Sequence, residues 1–215
     1  MVTEYHGPGN LSKIIDRLPV KFVGGRLCLD FVNTVGGRDQ AGAVIRDKIG
    51  NYDDLLAWSV LAGMVDRRQA RACEIPDPHA AADVLATAAR LREALYRIFK
   101  CRIERRQAPA ADVEVLRHQL TIARAHQYFA EQGVRFVWTF PPQPRALDCI
   151  LWPVSLSAAD LLTSGDLPRL GQCAGADCGW LFLDTSRNRR RQWCDMQDCG
   201  NRAKVQRFRR KQRPA

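Results

Sequence analysis

Apolar residues recur along most of this chain at the spacing of one face of an amphipathic helix. In residues 80–106, Val84, Ala88, Leu91, Leu95, Ile98 and Phe99 share one stripe, which predicts the longest helix. "YDDLLAWSVLAGMV" predicts another, with Leu55, Trp58 and Leu61 or Ala62 turned inward. "AADVEVLRHQLTIARAHQYFAEQG" reads as a third, closed by Gly133 in the C′ position. Leu147, Leu151, Val154, Ala158 and Leu161 predict a fourth, kinked or restarted at Pro153 and ended by Gly165. "RLCLDFVNTV" alternates at Leu27, Leu29 and Phe31, yet Leu27, Phe31 and Val35 also make a helical stripe; we read it as helix. Two segments read as strands. "PVKFVGG" ends in a turn at Gly24 and Gly25, and "VRFVWTF" is rich in β-branched and aromatic residues and stopped by Pro141 and Pro142. "GGRDQAGAVIRDKIG" reads as a loop and "DLPRLGQ" as a hinge, while Trp138 and Trp152 are expected in the core.

Composition adds little to this, but charge adds much. The 215 residues are 46% hydrophobic and 26% charged, as in ordinary soluble globular proteins. No run of 18 apolar residues occurs and the first residues lack a signal peptide's apolar stretch, so a soluble, cytoplasmic protein with no membrane partner is expected. The net charge of +10 is concentrated at one end. From Arg187 to Ala215, eleven Lys and Arg face Asp195 and Asp198, a balance of +9 that leaves +1 for everything before it. Such a patch usually meets a polyanion, most often nucleic acid.

The same end holds four of the eight cysteines. Cys173 and Cys178 are separated by four residues, as are Cys194 and Cys199, and fifteen residues lie between the pairs. Two close pairs around a hairpin-length segment form the layout of a structural zinc site, each pair aiming two sulfurs at one point. Four unrelated reduced thiols are the competing reading, but chance seldom yields two equal pairs in this arrangement. No His lies within or after the cluster, so one zinc would be held by four thiolates and closed to substrate. The module has too few apolar residues to fold unaided, whereas bound zinc can supply on the order of 10 kcal/mol. "WLFLD" is strand-like, "TSRNRRRQ" suits a turn, and "GNRAKVQRFRRKQ" a basic helix whose Val205 and Phe208 could dock on the zinc core. Cys28, Cys73, Cys101 and Cys149 lack such spacing and read as small buried apolar residues.

"CGNR" at Cys199 to Arg202, preceded by "CGWLFLDTSRN" and followed by "AKVQRFRRK", resembles the CGNR zinc finger. That finger ends bacterial proteins described as stress-induced transcription regulators. "GGRLCLDFVNT" and "LWPVSLSAADLL" make the preceding body similar to that family's partner domain, called ABATE. The resemblance implies a four-cysteine zinc site and DNA binding.

The expected fold class is therefore α+β: a mainly α-helical N-terminal domain with a small β element, residues 1–167, plus a small C-terminal four-cysteine zinc finger, residues 168–215, built of a β-hairpin and a basic helix. The candidate nucleic-acid contacts are Arg187, Arg189, Arg190 and Arg191 in the turn, and Arg202, Lys204, Arg207, Arg209, Arg210 and Lys211 on the helix. Guanidinium pairs bidentately with phosphate and with the guanine edge. Asn201 suits either a bidentate contact to adenine or an N-cap. In the body, Asp30 and Asn33, flanked by Arg26 and Arg38, could line a ligand pocket; the alternative is that they satisfy buried backbone groups. A P-loop, a dinucleotide glycine pattern, HExxH, GxSxG and a Cys-His arrangement are all absent, so an enzyme is not expected. The reading that results is a duplex-DNA-binding transcription regulator whose body senses a small ligand, forms a homodimer, or both. The alternatives are a zinc-stapled protein-interaction or RNA-binding module and, further off, an enzyme with a dispersed site in the N-terminal domain.

Overall fold

The computed structural model describes residues 11–38, 46–72, 77–141, 146 and 148–211, with the backbone alone at 72, 210 and 211. Helix α1 spans Leu11–Arg17 and α2 Leu27–Val32. Strands β1 (Val35–Gly36) and β2 (Arg46–Asp47) pair antiparallel in a minimal ladder. Helices α3 (Tyr52–Leu61), α4 (Arg67–Ala72), α5 (Pro78–Ile103) and α6 (Ala110–His126) follow. A hairpin of β3 (Tyr128–Gln132) and β4 (Arg135–Thr139) leads on to α7, Leu151–Thr163. The chain closes with a 3-10 turn at Leu167–Arg169, a second hairpin of β5 (Leu170–Gln172) and β6 (Leu181–Leu183), a π-helical turn at Met196–Gly200, and α8, Asn201–Lys211.

Local chemistry sets where the main helices begin. Asn51 caps α3 by accepting from the Asp54 amide at 2.8 Å, and Asp77 caps α5 with Pro78 just inside its first turn. Pro153 sits in the first turn of α7, where a missing N–H costs no intrahelical bond, so the helix begins there rather than kinking. All six stripe residues predicted for α5 are buried, and that helix is the centre against which α2, α3 and α6 pack. Phe31 of α2 meets Trp58 of α3 with ring centroids 5.2 Å apart. Leu29, Leu55, Leu91, Leu95, Leu151 and Trp152 complete a core with essentially no exposure.

Several expectations give way. "PVKFVGG" forms no strand: the Leu183 amide of β6 donates to its Gly24 carbonyl at 2.9 Å but no ladder follows; it crosses the finger as a strap, and only its Gly24–Gly25 bend is as read. The third helix stops at His126, where Gln127 turns extended and Tyr128–Gln132 pair with β4. Gly133 is thus the first residue of a two-residue hairpin turn, with φ +64, and not a helix terminator. Trp152 is core, but Trp138 lies on the open face of that hairpin. "DLPRLGQ" is no hinge, since its last residues are β5, paired with β6 in the register Leu170↔Leu183. Leu170, Leu181 and Leu183 join the body's own core, so the second hairpin is rooted in the body. Cys28, Cys101 and Cys149 are buried as expected, and burial pushes the Cys28 thiol up to about 12; Cys73 and Leu147 lie outside the described residues.

Candidate metal centre

The first cysteine pair sits in the loop of the β5–β6 hairpin. Beyond the ladder, the Cys173 amide donates to the Trp180 carbonyl at 2.8 Å, and the Cys178 amide to the Gly175 carbonyl at 3.1 Å, closing a tight knuckle. A Cβ on Gly175 would stand 3.3 Å from the Cys199 sulfur and 3.6 Å from that of Cys173, so glycine leaves the sulfurs room. Gly179 adopts φ +70 and lets the chain pass against Arg38, where any side chain would meet Cβ of Arg38 at 2.9 Å.

The second pair is presented by the turn that opens α8. Asp195 caps the π-helical turn by accepting from the Gln197 amide at 2.8 Å, and the Gly200 amide donates to the Asp195 carbonyl. The Ala174 amide donates to the Gln192 carbonyl, which brings the two halves together. All four cysteines are buried, and their sulfurs lie within 4.8 Å of one another. The Cys178–Cys194 and Cys194–Cys199 sulfur separations are 3.5 and 3.6 Å. A regular tetrahedron with Zn–S near 2.3 Å has edges of ~3.8 Å, so this all-sulfur cage fits zinc by size and by donor chemistry. The finger holds one structural zinc.

A shell of cations and donors supports the cage. Arg202 places Nη2 3.1 Å from the Cys199 sulfur, where a positive charge offsets the anionic thiolates. Arg191 turns inward, its guanidinium donating to the carbonyls of Val23, Leu183, Trp193 and Cys194 and lying 4.2 Å from the Phe182 ring centroid. Asp184 organises the turn by accepting from the amides of Ser186 and Arg191. Lys21 of the extended strap bridges Asp195 at 2.8 Å and Asp198 at 2.5 Å; hydrogen bonds to those two carboxylates raise its pKa.

The proposed nucleic-acid contacts divide into distinct groups. Arg187, Arg189, Arg190, Lys204, Arg207 and Arg209 are exposed, and none has an ion-pair partner among the described residues. Arg191 and Arg202 are engaged with the finger itself. Arg210 and Lys211 belong to α8, but their side chains lie outside the described residues. Asn201 is exposed and donates Nδ2 to the Gln197 carbonyl at 3.1 Å, so it ties the helix back to the preceding turn instead of accepting as an N-cap. Val205 and Phe208 are exposed, because α8 packs mainly on the π-helical turn and leaves that side uncovered.

Of the residues considered for a body ligand, Asn33 has both polar side-chain atoms committed, donating to the Leu181 carbonyl and accepting from its amide, each at 2.8 Å. It thereby completes the free edge of β6 and fastens α2 to the finger. Asp30 accepts from the Gly24 amide at 2.8 Å, and Arg26 pairs with Asp166. Burial pushes the Asp30 carboxyl up to about 6, against the pull of the Gly24 and Val23 amides. Arg38, the other flanking arginine, is buried and bidentate on Glu93 of α5 at 2.6 and 2.9 Å; sequence reasoning missed a second buried arginine, Arg92, bound to Thr34 and Asp47.

Two family models match the chain. One, ABATE, described as "Putative stress-induced transcription regulator", covers residues 25–165, and the other, the CGNR zinc finger, covers 169–212. No curated protein matches it. Among the described residues, no helix is long and apolar enough to cross a membrane.

Proposed function

The chain belongs to the ABATE family, and we propose that it is a transcription regulator that binds duplex DNA through its zinc-held finger. The observation that carries this reading is the set of six exposed, unpaired cations around the metal centre. Zinc, when bound, neutralises and cross-links the four thiolates, and its contribution is to folding. The chain's own residues do the rest. Arg191 and Asp184 fix the turn that holds out Arg187, Arg189 and Arg190, and the turn capped by Asp195 aims α8 with Lys204, Arg207 and Arg209. Two cationic segments leave one small scaffold, and contacts of this kind to phosphates position a protein on a duplex.

Regulation would enter where body and finger meet. A cleft of about 650 Å3 lies between α5 and the first knuckle, lined by Arg38, Tyr96, Arg97, Lys100, Gln172 and Gly175 among others. An anionic ligand held there would touch both regions at once and bias how the knuckle sits on α5.

The test is titration of zinc-loaded protein with a random-sequence duplex and with single-stranded RNA at several salt concentrations. If about six cations meet phosphates, log affinity for duplex falls with log salt at a slope near −5. Replacing Arg187, Arg189 and Arg190 together with Ala lowers that slope by about 3 while the fold stays intact. Tighter binding of RNA would favour an RNA-binding module, and folded protein that retains neither nucleic acid would overturn the reading in favour of a protein-interaction module.

A further inference from the structure

The β3–β4 hairpin stands apart from the core. Not one of its ten strand residues is buried, and among the described residues its main packing partner is its own other strand. The register puts Phe129 opposite Trp138 and Glu131 opposite Phe136, so Phe129, Phe136 and Trp138 share one face. These three rings are 57%, 63% and 63% exposed. They are already arranged against one another: Phe129 stacks on Phe136 with centroids 5.1 Å apart and tilts against Trp138 at 5.4 Å. At the tip, Val134 is 98% exposed. A two-stranded hairpin with nothing beneath it is marginally stable at best in water. Its strands carry no Lys, Pro or bulge to blunt their edges, and Pro141 comes only after β4 has ended.

We propose that the aromatic face of this hairpin is a dimerisation surface, closed in solution by the same face of a second copy of this chain. Area supports a partner of this kind. Aromatic side chains bury about 150–250 Å2 each, so these three rings with Val134 at the tip offer on the order of 500 Å2 per copy. That is already most of the ~800 Å2 a side that a standard interface uses, and as large as the biggest patch of a typical monomer. Charge points the same way. The ten strand residues hold one acid, Glu131, and one base, Arg135, and the acid lies on the aromatic face. A polyanion would be met by cations, which the chain keeps at its other end, whereas a mainly aromatic face bearing the single charge of Glu131 can pair with itself about a twofold axis. The proposal does not depend on what the finger binds.

The test is sedimentation of the full, zinc-loaded chain over a wide concentration range, with Trp138→Glu and Phe136→Ser as variants. The wild type is expected to pass from monomer to dimer, and each variant to weaken that step by about thirtyfold or more, as loss of an aromatic anchor does. Both side chains are exposed in the single chain, so helical circular dichroism should not change. If either variant misfolds, hydrogen exchange of wild-type amides at 128–139 decides instead, protection rising with protein concentration there and not in α5. A wild type that stays monomeric, a folded variant that dimerises as well as wild type, or hairpin protection independent of concentration would each overturn the proposal.

Discussion

Around Phe31, Trp58, Leu91 and Leu95 the body buries large side chains on five or more elements, and its polar groups serve to fasten those elements together. The finger buries four sulfurs around Phe182, with Val23, Trp180 and Trp193 partly covered, and little else. One region folds by removing apolar area from water, which grows with size. The other is too small for that and depends on a metal cross-link. The two are not separate bodies, however, because Leu170, Leu181 and Leu183 of the finger's hairpin are members of the larger core. The change of material falls within the finger, between its hairpin and its cysteine turns.

The sharpest way to break this contrast is Cys194→Ser. It should release zinc, whose contribution is on the order of 10 kcal/mol, and abolish hydrogen-exchange protection in residues 193–211 while α5 and α7 stay protected. Uniform loss of protection would show that the body also depends on the metal. Next is the joint between the two regions. Asn33→Ala leaves the buried amide and carbonyl of Leu181 without partners, for a cost of about 2–4 kcal/mol in urea unfolding. Within the finger, Arg191→Ala should cost about 2–3 kcal/mol, and Lys at that position should not restore it, because the guanidinium serves four carbonyls at once. Arg190→Ala next to it should change stability by less than about 0.5 kcal/mol. Equal effects at the two sites would erase the distinction between structural and presenting arginines.

The smallest effect is a pH dependence in the body. The Asp30 carboxyl is raised in the folded protein, to about 6, from near 3.9 when unfolded. The folded state therefore holds its proton more tightly, and the stability this contributes is complete below about pH 4 and lost as pH rises to about 6. Asp30→Asn keeps an acceptor for Gly24 but cannot titrate. Its unfolding free energy relative to wild type should therefore increase across that interval, as measured by denaturant titration at matched zinc. A constant difference would mean that Asp30 is not desolvated.

Helices with a long apolar stripe were legible from sequence because periodicity and burial report the same face, as α5 demonstrates with Val84 through Phe99. The zinc cage was legible because ligand spacing is a local property. What escaped depends on partners distant in sequence. β5 and β3 are short and mixed in composition, and each exists only because a strand comes to pair with it. Arg191 could not be told from Arg189 or Arg190 in a run of three, since only the fold shows which one meets four carbonyls. Asn33 was recognised as a polar residue in an apolar stretch, but its partner, Leu181, lies 148 residues away. The exposure of Trp138 ran against the expectation that it fills the core, because its burial depends on what the β3–β4 hairpin packs against and not on the residue type.

Four thiolates and no other donor close around one zinc and so hold the cationic finger together. X-ray absorption at the zinc edge, on purified protein with metal content measured in parallel, tests this most directly. One zinc per chain with four sulfur neighbours at about 2.3 Å is the expected result. A shell containing nitrogen or oxygen, or a protected finger in protein free of zinc, would contradict it.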